Sequence, residues 1–419
     1  MIRKENNMKI VVIGTGYVGL PAALMWAKHG QTVVGVDINE NVVRALNDGT
    51  MMLREKELQD LLEDPTVKKN LLASTTPSEG DVFVIAVPTP VDELKKTCDI
   101  TAVASAVQAI TPYLRPGNLV VVESTIPPMT CRTVVKPLIE KATGYSVPDE
   151  IRVAHCPERI LPGNIFHEIV HNERLIGGMN EATVDAAIEL YEVFVKGELH
   201  RTDDITAELS KLMENTYRDV NIALANELAE ICENLKVDPR KAIGFANRHP
   251  RVQIMNPGIG VGGHCIPVDP WFLKEVAPYT SNLISTARLI NDGMPARIAG
   301  KIRQKVAGIS DPKIVALGAT YKKNCEDMRE SPAVEIVECL QKDGYRVEHF
   351  DPMIPNMDYS SIVEAVRDAD LIAVLVCHDT IAESLRQNDN AIKLAMRTAQ
   401  CVFYDDNVLA HVGIQRRAA

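Results

Sequence analysis

The chain has 419 residues, of which 46% are hydrophobic and 24% are charged, and its formal net charge at pH 7 is -11. A chain of this length is expected to form roughly two to four domains. The acidic balance argues against a protein that binds nucleic acid along its phosphate backbone, which needs a basic face, although it leaves room for a local basic pocket. No apolar run approaches the ~18 residues of a membrane-spanning helix.

The nine cysteines are odd in number, widely scattered and never spaced as Cys-x-x-Cys. This distribution excludes most zinc modules and is typical of a reduced cytoplasmic chain. The start of the chain runs directly into an apolar strand pattern and a glycine turn, so we expect no signal peptide. We therefore expect a cytoplasmic protein with no metal ion, no nucleic-acid partner and no membrane partner.

The clearest predicted element is a βαβ unit at residues 9–37, in which an apolar run, a glycine turn, a helix and a second apolar run follow one another. Its turn carries the pattern G-x-G-x-x-G at Gly14, Gly16 and Gly19. In this pattern the first glycine makes the turn, the second lets the backbone approach a pyrophosphate, and the third packs helix on strand. Asp37 would accept from the ribose hydroxyls and repel a 2′-phosphate, so the sequence favours NAD over NADP.

The next elements continue the alternation of strands and helices. Apolar strand patterns at 81–90 and 118–125 follow the first unit, which predicts a parallel, doubly wound sheet. Residues 202–235 contain neither glycine nor proline and have apolar residues near helical spacing, which predicts one long helix. A helix of this length exceeds the needs of one domain, and we expect it to span between lobes and to supply a dimer face.

The C-terminal part of the chain repeats the alternation of strands and helices seen at the N-terminus. Strand patterns at 313–324, 345–352, 369–379 and 401–406 alternate with helices, and the second of them leads to Asp351. Gly318 stands alone there, so we predict a degenerate Rossmann-like lobe. The predicted fold class is α/β, with two Rossmann-like doubly wound lobes joined by a long central helix and a helical dimerisation domain. The expected boundaries are 1–201, 202–308 and 309–419.

Three polar residues of the long helix form a stripe. Lys211, Asn215 and Arg218 are spaced i, i+4 and i+7, and therefore share one face. Such a stripe is usually a solvated charged face. A Lys–Asn pair is also what the oxidation of a hydroxyl needs, since one group stabilises the developing oxyanion and one takes a proton.

Two loops offer guanidinium groups. "AHCPERILPG" places Glu158 and Arg159 in a turn flanked by prolines, and "NRHPRVQ" adds Arg248, His249 and Arg251. Arginines near a glycine-rich loop suit the recognition of phosphate. They suit a solvated surface equally well, so each loop stays open between the two interpretations.

Cys265 lies in "GVGGHCIPVDPWF", after three glycines and before a proline. Most cysteines are buried fillers. The glycines would instead permit close approach of a bulky ligand. Oxidation of an aldehyde to an acid with NAD needs a nucleophile, and a thiolate would add to the aldehyde and leave a thioester that water can cleave.

Together these residues resemble the UDP-glucose/GDP-mannose dehydrogenase family. The ordered set "GTGYVGLP", "VPTP", "EST", "CPER", "ELSKLMEN", "GVGGHC" and "DMRESP" covers the chain from end to end. The resemblance implies a four-electron oxidation of a sugar's primary alcohol to a carboxylate with two NAD and one water, and a UDP-sugar-binding C-terminal lobe.

The resemblance also implies roles for individual residues. Cys265 would be the nucleophile and Lys211 the acid/base and charge-stabilising group, with Asn215 and Asp269 in the same polar network and Glu158 near the hydrolytic water. The expected cofactor contacts are Gly14, Gly16, Tyr17, Val18, Gly19, Asp37, Thr89, Thr125 and Arg329. The expected substrate contacts are Arg159, Ile160, Lys211, Asn215, Arg218, Gly262, Tyr321 and Lys322, with His249 and Arg251 coming across a dimer interface.

The expected substrate is UDP-N-acetyl-D-mannosamine, oxidised for the synthesis of surface polysaccharide precursors, because "NRHPRV" and "PGIGVGGHCIPVDPWF" resemble that branch. UDP-N-acetylglucosamine is the alternative. Three departures weigh against UDP-glucose: Pro162 replaces a second glutamate, Val42 replaces an arginine, and "IMNPGIG" lacks a substrate lysine.

Two other functions are compatible with parts of the sequence. A two-electron β-hydroxyacid dehydrogenase needs neither the cysteine loop nor a second α/β lobe. A non-enzymatic NAD-binding sensor would leave Cys265, Lys211 and Glu158 without a role.

Overall fold

The computed structural model describes residues 7–51, 56–92, 94–160, 165–355, 357, 359–398 and 400–404. The chain divides into two compact units, Met1–Met213 with Trp271–Ala277, and Glu214–Pro270 with Pro278–Ala419. The division falls inside one long helix. Among the residues that the structure describes, no helix is both long and apolar enough to cross a membrane.

The first unit contains ten described strands. They are β1 (Lys9–Ile13), β2 (Thr32–Val36), β3 (Leu71–Ser74), β4 (Val82–Ile85), β5 (Val91–Asp92), β6 (Thr97–Cys98), β7 (Leu119–Val122), β8 (Arg152–His155), β9 (Arg174–Gly178) and β10 (Leu199–Asp203). Eight of them form one sheet in the order β10-β9-β8-β7-β4-β1-β2-β3, and β5 pairs with β6. All neighbours in the large sheet are parallel except β8 and β9, which are antiparallel.

The helices of the described chain are likewise numbered in order. They are α1 (Gly19–Lys28), α2 (Glu40–Asn47), α3 (Lys56–Leu62), α4 (Pro65–Asn70), α5 (Thr101–Ile110), α6 (Lys136–Thr143), α7 (Ile165–His171), α8 (Glu181–Tyr191), α9 (Asp204–Asn234), α10 (Pro239–Ala246), α11 (Asp269–Val276), α12 (Asn282–Asp292), α13 (Met294–Lys305), α14 (Pro332–Lys342), α15 (Ile362–Ala365), α16 (Asp379–Gln387) and α17 (Asp389–Ala395). A 3₁₀ turn lies at Thr111–Tyr113 and a π-helical turn at Cys131–Val135.

The central strands of the first unit are buried on both faces. Alternating side chains of β1 enter different core clusters, since Ile10 and Val12 pack in one and Val11 and Ile13 in the other. Strands covered on both faces are near-continuous runs of β-branched residues, as β1 and β7 are. The predicted α/β class with a parallel sheet is therefore confirmed for this part of the chain.

The second unit contains the helical central region and a smaller sheet. Its strands are β11 (Lys313–Leu317), β12 (Arg346–Phe350), β13 (Leu371–Val374) and β14 (Cys401–Phe403), all parallel in the order β12-β11-β13-β14. The four strand patterns predicted in the C-terminal sequence each contain one of these strands. The long helix predicted at 202–235 is α9, which has 31 residues.

The turn after β11 repeats the geometry of the turn after β1. Gly14 and Gly318 both have positive φ, +93° and +87°, and each donates its N–H to the last residue of the neighbouring strand, at 2.8 and 2.9 Å. A Cβ atom at either glycine would collide with a backbone carbonyl, that of Ala86 or that of Val376. The second lobe is thus Rossmann-like, with one glycine kept where the turn requires it.

Candidate active site

The three glycines of the first turn have different surroundings. Gly14 adopts φ +93°, and a Cβ atom at Gly19 would collide with the Gly14 carbonyl. A Cβ atom at Gly16, in contrast, would have no protein atom within 4 Å. Packing therefore requires glycine at the first and third positions, and the open second position leaves room for a ligand to approach the backbone. No described side chain caps the N-terminus of α1, whose N–H groups suit a pyrophosphate.

Asp37 connects this turn to the end of β2. Its Oδ2 accepts from the backbone N and the Oγ1 of Thr15, at 3.1 and 3.0 Å, and its Oδ1 accepts from the backbone N of Asn39 at 3.0 Å. The side chain is half-buried. The carboxylate thus lies beside the glycine turn, as a ribose-binding residue of a Rossmann domain must.

Other predicted cofactor residues lie at the same edge of the sheet. Thr89 follows β4 and Thr125 follows β7, and the Thr89 hydroxyl donates to the Thr125 carbonyl at 2.7 Å. Tyr17 and Val18 precede α1 directly, and Tyr17 is 43% exposed. Strand order reverses between β1 and β4, and ligands of open α/β sheets bind outside the carboxyl ends of strands at such a switch point.

Lys211 is buried on α9, with 9% of its surface exposed. Burial, together with the smaller effect of the positive charge of Lys211, lowers the pKa of His155 to about 3. His155 is therefore neutral at neutral pH. The sequence did not single out His155, since a histidine at the end of a buried strand carries no pattern of its own.

Asn215 and Asp269 meet in the second unit. Asn215 Nδ2 donates to Asp269 Oδ2 at 2.5 Å, and both side chains are almost fully buried. Arg218 donates to Asn215 Oδ1 from one turn further along α9. The solvated-face interpretation of the helix stripe is therefore wrong for Lys211 and Asn215, because both are buried.

Cys265 is the one exposed cysteine among nine, all of which lie in the described part of the chain and none of which forms a disulfide. Its carbonyl accepts from the backbone N of Val268 and Asp269, at 3.1 and 2.9 Å, so the cysteine begins a tight turn. Cys265 is therefore not a buried filler cysteine.

The glycines before Cys265 are required by close packing within the protein, which the sequence did not indicate. A Cβ atom at Gly262 would collide with the Glu330 carbonyl, and one at Gly263 would lie 2.8 Å from the Tyr321 ring. Gly263 also has φ +86°. The small residues here accommodate the protein's own segment around Tyr321, a predicted substrate residue, and not only a bulky ligand.

Glu158 lies after β8 in a charged cluster that the sequence did not predict. Its Oε2 accepts from Arg174 Nη2 at 2.7 Å, and its Oε1 accepts from the backbone N of Arg159 at 2.6 Å. Arg174 also reaches Glu123, the glutamate of the "EST" motif, at 3.5 Å. The motif contained the signal for Glu123, whereas nothing local in the sequence indicated Arg174.

Glu208 is a second buried carboxylate that the sequence missed. It lies on α9 and accepts from the backbone N of Met129 at 2.5 Å and of Cys131 at 2.9 Å. Burial raises its pKa to about 7, against the opposing effect of those two N–H groups. Glu208 thereby fixes the segment that follows Thr125 to the long helix.

The remaining predicted site residues lie in either unit. In the first unit, Arg159 and Ile160 are half-buried. In the second, Tyr321 and Lys322 are half-buried, while His249 and Arg251 are exposed in the turn after α10 and Arg329 is paired with Asp327. Val42 is half-buried on α2. Pro162 lies outside the described residues.

Three models of one family match the chain in order. They are those of the UDP-glucose/GDP-mannose dehydrogenase family: the NAD binding domain over residues 8–195, the central domain over 205–293, and the UDP binding domain over 315–410. These matches bear out the sequence-based predictions of NAD as cofactor and of a UDP-binding C-terminal part.

Individual proteins are similar over nearly the whole chain. The UDP-N-acetyl-D-mannosamine dehydrogenase of Methanococcus maripaludis (strain C7) is 45% identical, over 96% of this chain and 93% of that protein. The NDP-N-acetyl-D-galactosaminuronic acid dehydrogenase of Ralstonia solanacearum is 42% identical, over 88% and 90%. The native structure of the UDP-N-acetyl-mannosamine dehydrogenase of Staphylococcus aureus is 42% identical, covers 96% of both chains and has a TM-score of 0.88.

The glycine turn with Asp37, the buried Lys211 and Asn215, and the exposed Cys265 thus occur in a chain that matches one family along its length. This protein is a member of the UDP-glucose/GDP-mannose dehydrogenase family, the NAD-dependent nucleotide-sugar dehydrogenases.

Proposed function

We propose that this chain oxidises UDP-N-acetyl-D-mannosamine to UDP-N-acetyl-D-mannosaminuronic acid, with Cys265 as the nucleophile. The observation that carries the proposal is the exposed residue Cys265, in a turn that leads directly to the buried Asn215–Asp269 pair. The similarity to dehydrogenases named for this sugar nucleotide supports the substrate.

The reaction converts a primary alcohol and one water to a carboxylate with the loss of four electrons. When bound, NAD supplies the acceptor for a hydride, and two NAD are consumed per sugar. Lys211, buried on α9, acts as the acid/base group for the hydroxyl proton and stabilises the developing oxyanion, and Asn215 and Asp269 complete the polar network. The glycine turn and Asp37 hold the cofactor.

Cys265 acts in the second oxidation. Its thiolate adds to the aldehyde carbon and gives a thiohemiacetal, which loses a hydride to become a thioester. Water then adds to the thioester carbonyl, the C–S bond breaks, and the thiolate is regenerated. Glu158 takes the proton of that water. Arg159, Ile160, Arg218, Gly262, Tyr321 and Lys322 are the proposed contacts of the UDP-sugar, and Arg329 a further contact of the cofactor.

We also propose that the protein is a homodimer or a larger homo-oligomer. Tyr217, Leu224 and Ile231 are spaced seven residues apart on α9 and are 56%, 47% and 49% exposed. Apolar side chains at this spacing form a stripe suited to a partner helix. The exposed His249 and Arg251 would then contribute to a neighbour's site.

The remaining proposals concern organisation and location. We propose an NAD-binding domain at 1–201, a central helical dimerisation domain at 202–308 and a UDP-sugar-binding domain at 309–419. We place the protein in the cytoplasm, because nine reduced cysteines suit a reducing compartment.

The test is the yield of NADH per sugar consumed by the purified protein. UDP-N-acetyl-D-mannosamine, UDP-N-acetylglucosamine and UDP-glucose are supplied in turn, and the first should give two NADH with the highest kcat/KM. One NADH per sugar would instead identify a two-electron dehydrogenase. No turnover of any nucleotide sugar would identify a binding protein, and either result would reject the proposal.

A further inference from the structure

Arg174 lies at the centre of a buried charged cluster in the first unit. It is 3% exposed, Glu123 is 1% exposed, and both Glu158 and Tyr191 border the same space. Nη2 of Arg174 donates to Glu158 Oε2 at 2.7 Å, and Nη1 lies 3.5 Å from Glu123 Oε1. One guanidinium therefore serves two carboxylates, as a buried cation must be paired and hydrogen-bonded.

The antiparallel strand explains how Arg174 reaches Glu158. Ala154 pairs with Gly178 and His155 with Gly177, and continuing this register past the end of β8 sets position 158 opposite position 174. In a fully parallel sheet, the first residue of a strand would lie at the edge away from the cofactor turn. Because β9 runs the other way, its first residue lies at the carboxyl end of β8.

Both oxygens of Glu158 are held by donors. Oε2 accepts from Arg174, and Oε1 accepts from the backbone N of Arg159 at 2.6 Å. A carboxylate with one fixed donor on each oxygen has one orientation, whereas a carboxylate on a loop otherwise samples several rotamers. Arg174 supplies the donor that comes from a rigid strand.

Glu123 and Tyr191 hold Arg174 in turn. The Tyr191 hydroxyl donates to Glu123 Oε1 at 2.5 Å, and the guanidinium carbon of Arg174 lies 4.9 Å from the centre of the Tyr191 ring. Burial raises the pKa of Glu123 to about 7, and the Arg174 charge opposes that rise. Burial acts to lower the pKa of Arg174. The Glu158 and Glu123 carboxylates outweigh that effect and raise the pKa of Arg174 above its usual value.

We propose that Arg174, anchored by Glu123 and Tyr191, is a positioning residue that orients the Glu158 carboxylate for hydrolysis of the Cys265 thioester. The inference rests on the proposed function. In the step concerned, the water oxygen bonds to the thioester carbonyl carbon, one water proton goes to Glu158, and the C–S electron pair leaves with Cys265. Arg174 exchanges no proton and keeps the acceptor of that proton in place.

The first test replaces Arg174 by Lys and by Gln. Both hydride transfers precede hydrolysis, so a defect in hydrolysis alone should give a burst of two NADH per site and then a slow steady state. We expect kcat to fall about 10- to 100-fold, in line with the loss of a residue that orients a catalytic group. Intact mass should show the sugar acid bound to Cys265, Arg174→Lys should retain more activity than Arg174→Gln, and kcat/KM for NAD should not change.

Two further variants separate positioning from folding. The double variant Glu123→Leu, Arg174→Met replaces the buried ion pair by apolar side chains of similar volume, a change that such sites often tolerate. This variant should still accumulate the covalent adduct. Arg288→Lys is the matched control, since Arg288 is also buried, at 1% exposed, and paired with Asp219. It should show no adduct.

The outcomes also separate this inference from the proposed function. Glu158→Gln serves as the reference for a hydrolysis defect. If Glu158→Gln accumulates the adduct but the folded Arg174 variants and the folded double variant do not, Arg174 has no positioning role and the inference is wrong. If the wild-type enzyme yields one NADH per sugar, the proposed four-electron oxidation is wrong, whatever the Arg174 variants show.

Discussion

Protonation of Glu208 should make the stability of the first unit depend on pH in a way that Glu208→Gln abolishes. Glu208 is fully buried, and its pKa is raised from 4.5 to about 7, mainly by burial. Because the folded-state pKa lies above the unfolded one, the folded protein holds this proton more tightly. The stabilisation is complete below pH 4.5 and is lost as the pH rises through 7.

The size of the effect follows from that shift. A rise from 4.5 to about 7, at about 1.4 kcal/mol for each pKa unit, gives about 3 kcal/mol. The amide that replaces the carboxylate in Glu208→Gln has a single acceptor oxygen, so the variant would keep one of the two backbone contacts, to Met129 or to Cys131, and lose the other at every pH. The variant therefore changes the absolute stability by a constant amount and removes the dependence on pH.

Urea unfolding of both proteins at several values between about pH 4.5 and 8 measures this difference. The free energy of unfolding of the wild type, minus that of Glu208→Gln, should fall by about 3 kcal/mol across the range. Other titrating groups, such as Glu123, affect both proteins alike and cancel in the difference. Parallel stability curves would show that Glu208 titrates alike in the folded and unfolded chains, and would refute the reasoning.

Three other predictions concern the cofactor, the nucleophile and assembly. Asp37→Ser should narrow the preference for NAD over NADP by about tenfold or more, because a 2′-phosphate would no longer face a carboxylate; an unchanged ratio of kcat/KM values would contradict this. Cys265→Ser should lower turnover to the uronic acid by roughly 10³- to 10⁶-fold while NAD binding persists, and two NADH per sugar at a near-normal rate would exclude a catalytic thiol. Leu224→Arg should shift the protein towards monomer in light scattering, since it places a charge in an exposed apolar stripe. An unchanged molecular mass would show that this stripe is not the dimer interface.

The N-terminal βαβ unit and the long helix could be predicted because their signals are local. The glycine turn, Asp37 and the apolar runs lie within about thirty residues, and α9 has a continuous helical pattern. β10 was not predicted, because the strand Leu199–Asp203 has the sequence LHRTD and lies at the edge of the sheet, with no buried residue. Only partners distant in sequence make it a strand.

The site shows the same limit. Cys265, Lys211 and Asn215 stand in recognisable patterns, whereas Arg174 depends on the reversal of β9 and Glu208 on contacts about 77 residues away in sequence. In the sequence the glycines before Cys265 suit the approach of a ligand, whereas in the structure the Tyr321 side chain lies against Gly263. A sequence lists which groups are available, and the register of strands decides which of them meet.

The glycine turn that occurs in both lobes is followed by an aspartate with different surroundings in each. Asp351 directly follows its strand, as Asp37 does, and accepts from the residue after the turn glycine, Ala319, at 2.7 Å. It also accepts from His378 at 2.9 Å and is fully buried, whereas Asp37 stays half-buried. The carboxylate at this position is thus enclosed by the protein's own donors in one lobe and partly accessible in the other. Replacing the Gly14 turn by the Gly318 turn would therefore keep the backbone geometry but would not by itself provide an accessible carboxylate.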